Sequence, residues 1–277
     1  MVYVTSDTHG AFDIHKINPR EFTAAQSMGS DDYLLICGDF GCIWDGGKTD
    51  EFWLKWLESL PWTTLFIDGN HENFDVLSTY PVREWAGGKI REIRKNIFYL
   101  MRGEIYDFAG KTWFALGGGY SHDSSFRTRG TDWWHEEVFS KEEAENALNN
   151  LKKHGGKVDV ILSHDVYASH SCSEVYPLEL DRYPEDRINQ MEFLEDIRTR
   201  TDYRLWLCGH YHQDSIEFAD QKPCRMLFND VREIDDLMEE ARTAKLQLEE
   251  KSRLENAEEE DSCSAGFLSS HQLCAIG

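Results

Sequence analysis

The stretch Thr64-Leu65-Phe66-Ile67-Asp68-Gly69-Asn70-His71-Glu72-Asn73-Phe74 runs from apolar to polar, with one glycine at the junction. A short, nearly continuous apolar run of this kind reads as a buried strand, and the glycine as a sharp turn that leaves the polar side chains pointing outward. Four other runs end in the same way. Val2-Tyr3-Val4 leads to Asp7-Thr8-His9, and Tyr33-Leu34-Leu35-Ile36-Cys37 leads to Gly38-Asp39. Val158-Asp159-Val160-Ile161-Leu162 leads to Ser163-His164-Asp165, and Leu205-Trp206-Leu207-Cys208 leads to Gly209-His210-Tyr211-His212. In a layered sheet the carboxyl ends of parallel strands share one edge, where ligands bind. Five dispersed clusters are therefore expected to meet in one place.

Helical patterns lie between these runs. Asp50-Glu51-Phe52-Trp53-Leu54-Lys55-Trp56-Leu57 is amphipathic, Ser140-Lys141-Glu142-Glu143 has capping-box spacing before residues 144–153, and residues 184–198 carry a helical apolar stripe. Strands alternating with helices predict an α/β layered fold. Residues 97–116 and 215–229 read as hairpins and suggest added antiparallel strands in a second sheet. Trp53, Trp56 and Trp62 read as core, whereas Trp133-Trp134 are candidates for the mouth of a site.

The residues gathered at the strand ends are Asp7, His9, Asp39, Asn70, His164, His210 and His212. Carboxylate, imidazole and amide donors without a thiolate suit manganese, iron, zinc or nickel, and are too rich in histidine for calcium. They also outnumber the ligands one ion would take. Two ions about 3.5–4 Å apart, bridged by a carboxylate and a water-derived hydroxide, would use them all, and such pairs serve phosphoester hydrolysis.

In this order, D-x-H, G-D, G-N-H-E, a strand-end H and G-H-x-H, the sequence resembles the calcineurin-like metallophosphoesterase superfamily over roughly residues 1–229, with a weaker likeness to small bacterial and phage-type members. The resemblance implies two packed mixed β-sheets flanked by helices, a four-layer sandwich. It implies two divalent transition-metal ions, manganese first among the candidates. Asp7, His9 and His212 would hold one ion, Asn70, His164 and His210 the other, and Asp39 would bridge them. The expected activity is hydrolysis of a phosphomonoester, on a small molecule or a phosphoprotein. A metal-bridging hydroxide would be the nucleophile and His71 the general acid. A phosphodiesterase acting on cyclic nucleotides or nucleotide diesters is the runner-up, and a non-catalytic metal-binding scaffold the third reading.

One departure bears on mechanism. Where protein phosphatases of the superfamily carry an aspartate that orients the catalytic histidine and an arginine that grips phosphate, this sequence has Cys42 and Ile43. Arg127 is the candidate replacement for the arginine. His122, beyond the glycine-rich Leu116-Gly117-Gly118-Gly119 segment, and His170 are further candidates for substrate contact. Asp45, Asp68, a water or a backbone carbonyl is expected to orient His71.

The 277 residues are 40% hydrophobic, enough for a core, and carry a formal net charge of −22, which argues against long nucleic acid or an anionic membrane surface as partner. The seven scattered cysteines include no C-x-x-C pair and suggest no disulfide framework. With no apolar stretch near 20 residues and no signal-like start, a cytoplasmic location is expected. The division expected is a catalytic domain over 1–231, a charged helical arm over 232–261 that binds a partner or mediates oligomerisation, and a disordered tail over 262–277.

Overall fold

The computed structural model of the protein describes residues 1–173 and 180–270. In chain order its strands are β1 (Val2–Thr5), β2 (Tyr33–Cys37), β3 (Thr63–Ile67), β4 (Val82–Trp85), β5 (Gly88–Arg94), β6 (Ile97–Leu100), β7 (Glu104–Phe108), β8 (Lys111–Gly117), β9 (Val160–Ser163), β10 (Leu205–Cys208), β11 (Ser215–Ala219), β12 (Lys222–Met226) and β13 (Arg232–Glu233). The α-helices are α1 (Lys48–Glu58), α2 (Phe74–Thr79), α3 (Lys141–Lys153), α4 (Gln190–Arg200) and α5 (Ile234–Ser270).

The strands form two mixed sheets, ordered β13-β1-β2-β3-β6-β5-β4 and β11-β12-β10-β9-β8-β7. Both have a parallel centre, β1-β2-β3-β6 in one and β12-β10-β9-β8 in the other, with antiparallel strands outside. All five apolar runs fall in these centres. Central parallel strands are covered on both faces, which is why the runs are continuous rather than alternating. One face of each sheet meets the other: Val4, Leu35, Leu65 and Ile67 pack with Trp113, Val160, Leu162 and Leu207. The outer face of the first sheet is covered by α1, through Leu54 and Leu57, with Trp62 buried and Trp53 and Trp56 packed at the edge of the same cluster. The outer face of the second is covered by α3 and α4, through Ala147, Leu151, Leu194 and Ile197. The result is the expected four-layer α/β sandwich.

Several local expectations change. Helix α3 starts as read, with the Ser140 side chain and Glu143 forming a reciprocal capping box. Helix α4 starts at Gln190 rather than 184, because Asn189 accepts the Glu192 N–H as N-cap while Ile188 and Arg187 are tied in extended form to Phe139 and Ser140. Residues 97–116, expected as a hairpin, divide: residues 104–117 form a true hairpin at Ala109-Gly110, but Arg102-Gly103 is the crossing from one sheet to the other, since β6 and β7 belong to different sheets. The β4–β5 hairpin, turning at Ala86-Gly87, was not read from the sequence.

The charged C-terminal segment begins inside the fold. β13 pairs with β1, and Ile234, Leu237, Met238 and Ala241 of α5 are buried in the core between the sheets. The helix continues through Ser270, past Ser262 where a disordered tail was expected, because extending an existing helix adds one hydrogen bond per residue fixed. Residues 271–277 of that expected tail, including His271, lie outside the described residues. Among the described residues Cys37, Cys42, Cys172, Cys208 and Cys224 are free thiols, and no helix is long and apolar enough to cross a membrane.

Candidate metal centre

The loops after β1, β2, β3, β9 and β10 converge at one edge of the two sheets, and they bring the seven strand-end residues together. Asp7, His9 and His212 offer ligand atoms within 4.8 Å of one another, and so do Asp7, Asp39 and His164. Asp39 divides its carboxylate between the two groups. Its Oδ2 lies 3.2 Å from His9 Nε2, while its Oδ1 lies 3.3 Å from His164 Nε2 and accepts the His71 backbone N–H at 2.8 Å. Asp7 Oδ1 is 3.4 Å from His212 Nε2 and 4.0 Å from His164 Nε2. The His210 N–H donates to the Asp7 carboxylate at 3.2 Å, and its ring packs edge-on against His164. The nitrogen of His71 joins His9 and Asp39 in a third such group.

This cluster is under electrostatic and conformational load. Asp7 and Asp39 are 0% and 2% exposed, and burial acts to raise both carboxyls; the facing His164, with His212 on Asp7, nevertheless holds both below the usual carboxylate range. Burial alone would lower the His164 imidazole, but Asp39 and Asp7 raise it to about 10. The centre thus draws positive charge into a buried position, which is the demand a divalent cation meets. Asn70 Oδ1 is buried without a hydrogen-bond partner, and the His164 ring is turned by its Nδ1 contact to the Cys37 carbonyl, so that Nε2 faces the carboxylates. The donor set fits a metal pair.

Five of the seven residues, Asp7, His9, Asp39, His210 and His212, have positive φ, a left-handed backbone that costs a non-glycine residue roughly 1–3 kcal/mol. The glycines that precede the ligands serve close approach. A side chain on Gly209 would run into Ser6 Oγ and Asp7 Oδ2, and one on Gly69 into the Asp39 carboxylate.

Within Asp68-Gly69-Asn70-His71-Glu72-Asn73 the polar residues divide the work. Asp68 does not orient His71. It is fully buried, accepts from Tyr99 Oη at 2.8 Å and Gly118 N at 3.1 Å, and forms an ion pair with Arg102. Glu72 accepts the Phe40 N–H at 2.7 Å, tying this loop to the one after β2, and burial pushes its carboxyl well up. Asn73 caps α2 through the Val76 N–H and donates to the Trp44 carbonyl.

His71 meets a different partner from those expected. The Arg127 guanidinium lies 3.3 Å from His71 Nε2, held by Asp123 at 2.7 Å. Asp45 instead accepts from Gly47 N. Burial, together with Arg127, lowers the His71 imidazole, partly countered by Asp39. Cys42 and Ile43 are 0% and 1% exposed, so the segment that carries the aspartate and arginine of protein phosphatases points into the core here. Trp133 and Trp134 are also buried and do not line the mouth; Trp134 backs Trp44 edge-on and donates to Asp75. His122 is exposed on the loop after Ser121, whereas His170 is 3% exposed on the outer side of the second sheet, against Tyr167 and Glu217.

A cleft of 820 Å³ opens over His9, His71 and His212, walled by Phe12, Trp44, Asp13, Asp45, Thr49 and Asp50. Supporting residues that sequence reading missed surround it. Asp13 holds His9 Nδ1 at 3.0 Å, Phe228 stacks on His212 at 4.4 Å, and Lys16 donates to the carbonyls of Ser6, Asp7 and Phe228 beneath β1. Asp50 accepts three consecutive N–H groups, from Trp44, Asp45 and Gly46, and so shapes the cleft wall. Only the four-residue spacing of His9 and Asp13 hinted at any of these.

The calcineurin-like phosphoesterase family model matches residues 1–214 of the chain, and the chain belongs to that family. No curated protein matches it. Among solved structures it is similar to a candidate 5′-nucleotidase of Staphylococcus aureus (16% identity, TM-score 0.44, 82% of this chain and 48% of that one). It is also similar to GAP50 of the Plasmodium inner membrane complex (12%, 0.46, 82% and 70%) and to phosphopantetheinyl hydrolase of Mycobacterium tuberculosis (15%, 0.35, 82% and 89%). The chain spans about half the length of the staphylococcal structure. At these scores the likenesses carry no argument about substrate.

Proposed function

We propose that the chain is a phosphoester hydrolase dependent on two divalent metal ions, acting on phosphomonoesters of small molecules or phosphoproteins. The observation that carries this reading is the division of Asp39, whose two oxygens face separate histidine groups as a bridging carboxylate does. Asp7, His9 and His212 would hold one ion, Asn70, His164 and His210 the other, with Asp39 shared. Bound there, the ions supply a nucleophile near neutral pH by lowering the pKa of coordinated water, and they neutralise charge developing at phosphorus.

The chain's own residues do the rest. The Asp39 carboxylate fixes the His71 backbone through the 2.8 Å hydrogen bond, so the imidazole stands at the edge of the cluster facing the cleft. An incoming phosphoryl oxygen replaces His71 Nε2 as acceptor of the Arg127 guanidinium; the freed Nε2 then takes up a proton from solvent in the cleft and, as general acid, gives it to the leaving oxygen. Arg127 thereby takes the place of the missing arginine. Asp13, Asp45 and Asp50 give the cleft an acidic wall that disfavours extended polyanions.

The test compares hydrolysis of p-nitrophenyl phosphate with that of bis-p-nitrophenyl phosphate in manganese, with Asp39→Ala as control. Faster turnover of the monoester, lost in Asp39→Ala, is expected. Faster turnover of the diester supports the phosphodiesterase reading. Inactivity on both, with no metal found by elemental analysis, overturns the enzyme.

A further inference from the structure

The amide of Asn70 has two faces, and only its oxygen can bind a cation. The orientation follows from a buried chain of hydrogen bonds that begins at Glu137. Oε1 of Glu137 receives three donors, Ser121 N at 3.1 Å, Trp133 Nε1 at 2.8 Å and Tyr183 Oη. Its Oε2 receives the Ser121 hydroxyl at 2.6 Å. A serine hydroxyl has one proton, and here it is spent on Glu137. Ser121 Oγ can therefore only accept from Asn70, whose Nδ2 stands 3.1 Å away. That leaves Asn70 Oδ1 turned toward the cluster, buried and without a hydrogen-bond partner. Glu137 and Ser121 are both 0% exposed, so no solvent molecule substitutes in the chain.

We propose that Glu137, acting through Ser121, is the positioning residue that sets which face Asn70 presents to the second metal ion. The inference rests on Asn70 being a ligand of that ion, as in the function proposed above. It predicts the effect of exchanging a single atom. In Glu137→Gln the three donors to Oε1 keep an oxygen there, so the new amide nitrogen takes the Oε2 position and donates to Ser121 Oγ. The serine proton then turns to Asn70, and the Asn70 amide flips, offering nitrogen to the metal. Asn70→Asp should undo this. An aspartate accepts the serine proton with one oxygen and still offers the other to the metal.

The test measures Mn²⁺ bound per chain by elemental analysis and calorimetric titration, with the melting temperature of the metal-free protein as a check on folding. Burial pushes the Glu137 carboxyl up to about 7, so the titrations are run at pH 8. Expected are two Mn²⁺ in the wild type, one in Glu137→Gln, and two again in Glu137→Gln/Asn70→Asp. Removing such a partner costs about 10–100-fold in metal affinity. Ser121→Ala should weaken the second ion by that much and leave the first unchanged, a selectivity that general destabilisation does not produce; it also serves if Glu137→Gln fails to fold. Wild-type binding in Glu137→Gln and Ser121→Ala, or a double variant that binds no better than Glu137→Gln, overturns the positioning role. If Asn70→Ala itself keeps two ions, the ligand assignment fails instead.

Discussion

Replacing Arg102 by Met should be among the most damaging single changes outside the ligands. The Arg102 and Asp68 side chains are 2% and 0% exposed, and the guanidinium donates through Nε at 2.9 Å and through Nη2 to the same carboxylate oxygen. It also reaches the Glu137 carbonyl at 3.1 Å and lies over the rings of Phe74 and Phe139. Methionine keeps the stem between those rings and removes the charge. Breaking a buried pair from one side costs roughly 3–5 kcal/mol, because the partner charge stays buried. Tyr99 Oη and Gly118 N still donate to Asp68 and soften that loss, which places the estimate at about 3–4 kcal/mol. At about 2–4 °C per kcal/mol for a chain of this size, the melting temperature should fall by roughly 6–16 °C. Adding Asp68→Asn removes the stranded charge; its one oxygen still accepts the Gly118 N–H, and its NH2 can donate to the Tyr99 hydroxyl, which turns to accept, so the double variant should regain at least about 1 kcal/mol over Arg102→Met. Urea unfolding of the metal-free proteins measures all three. Lys157→Met, which breaks the exposed Lys157–Asp202 pair (75% and 72% exposed), sets the scale at under about 1 kcal/mol. An Arg102→Met cost no larger than that of Lys157→Met, or a double variant weaker than the single, would refute the buried-pair account.

Two further outcomes test other parts of the structure. Gly209→Ala should displace Asp7 and reduce Mn²⁺ per chain, whereas Gly29→Ala, whose added methyl group meets nothing within 4 Å, should bind as the wild type does; equal metal contents would contradict the packing argument. The pH dependence of stability should carry the mark of Glu137. A carboxyl near 7 when folded and near 4.5 when unfolded favours the protonated fold, so its contribution is fully present below about pH 4.5 and lost as pH rises through about 7. At about 1.4 kcal/mol per unit, metal-free wild type should lose roughly 3 kcal/mol relative to Glu137→Gln across that window, and parallel pH profiles of the two in urea unfolding would count against it.

What could be read in the sequence was whatever depends on the chain near itself. The parallel centres of both sheets were legible because burial on two faces writes unbroken apolar runs, and the gathering of the candidate ligands because each stands just beyond such a run. The β4–β5 hairpin was not, since Val82, Arg83 and Glu84 are exposed and carry no apolar pattern. β13 is two residues long and its partners in register lie 230 and 228 positions away, Tyr3 with Glu233 and Val4 with Arg232, so nothing local announces it. The partner of His71 was sought near Asp39 and in its own loop, yet the Arg127 guanidinium comes from a loop 56 residues on. Asp68 shows the converse error: its place beside His71 in sequence suggested a role on that ring, while its side chain turns the other way to Arg102.

The same contrast separates what the family motifs specify from what this chain adds. The motifs fix donor types and the glycines that let them approach; they say nothing of what holds five left-handed residues and two buried carboxylates in place. Here that support comes from side chains outside every motif: Lys16 on the carbonyls at the end of β1, Phe228 against His212, Asp50 under the cleft wall, and Ser121 with Glu137 behind Asn70. Each fixes one ligand or one loop by a hydrogen bond or a ring contact to a distant segment. The motifs thus name the candidate ligands, but how firmly those residues would hold each metal depends on residues that only the folded chain brings together.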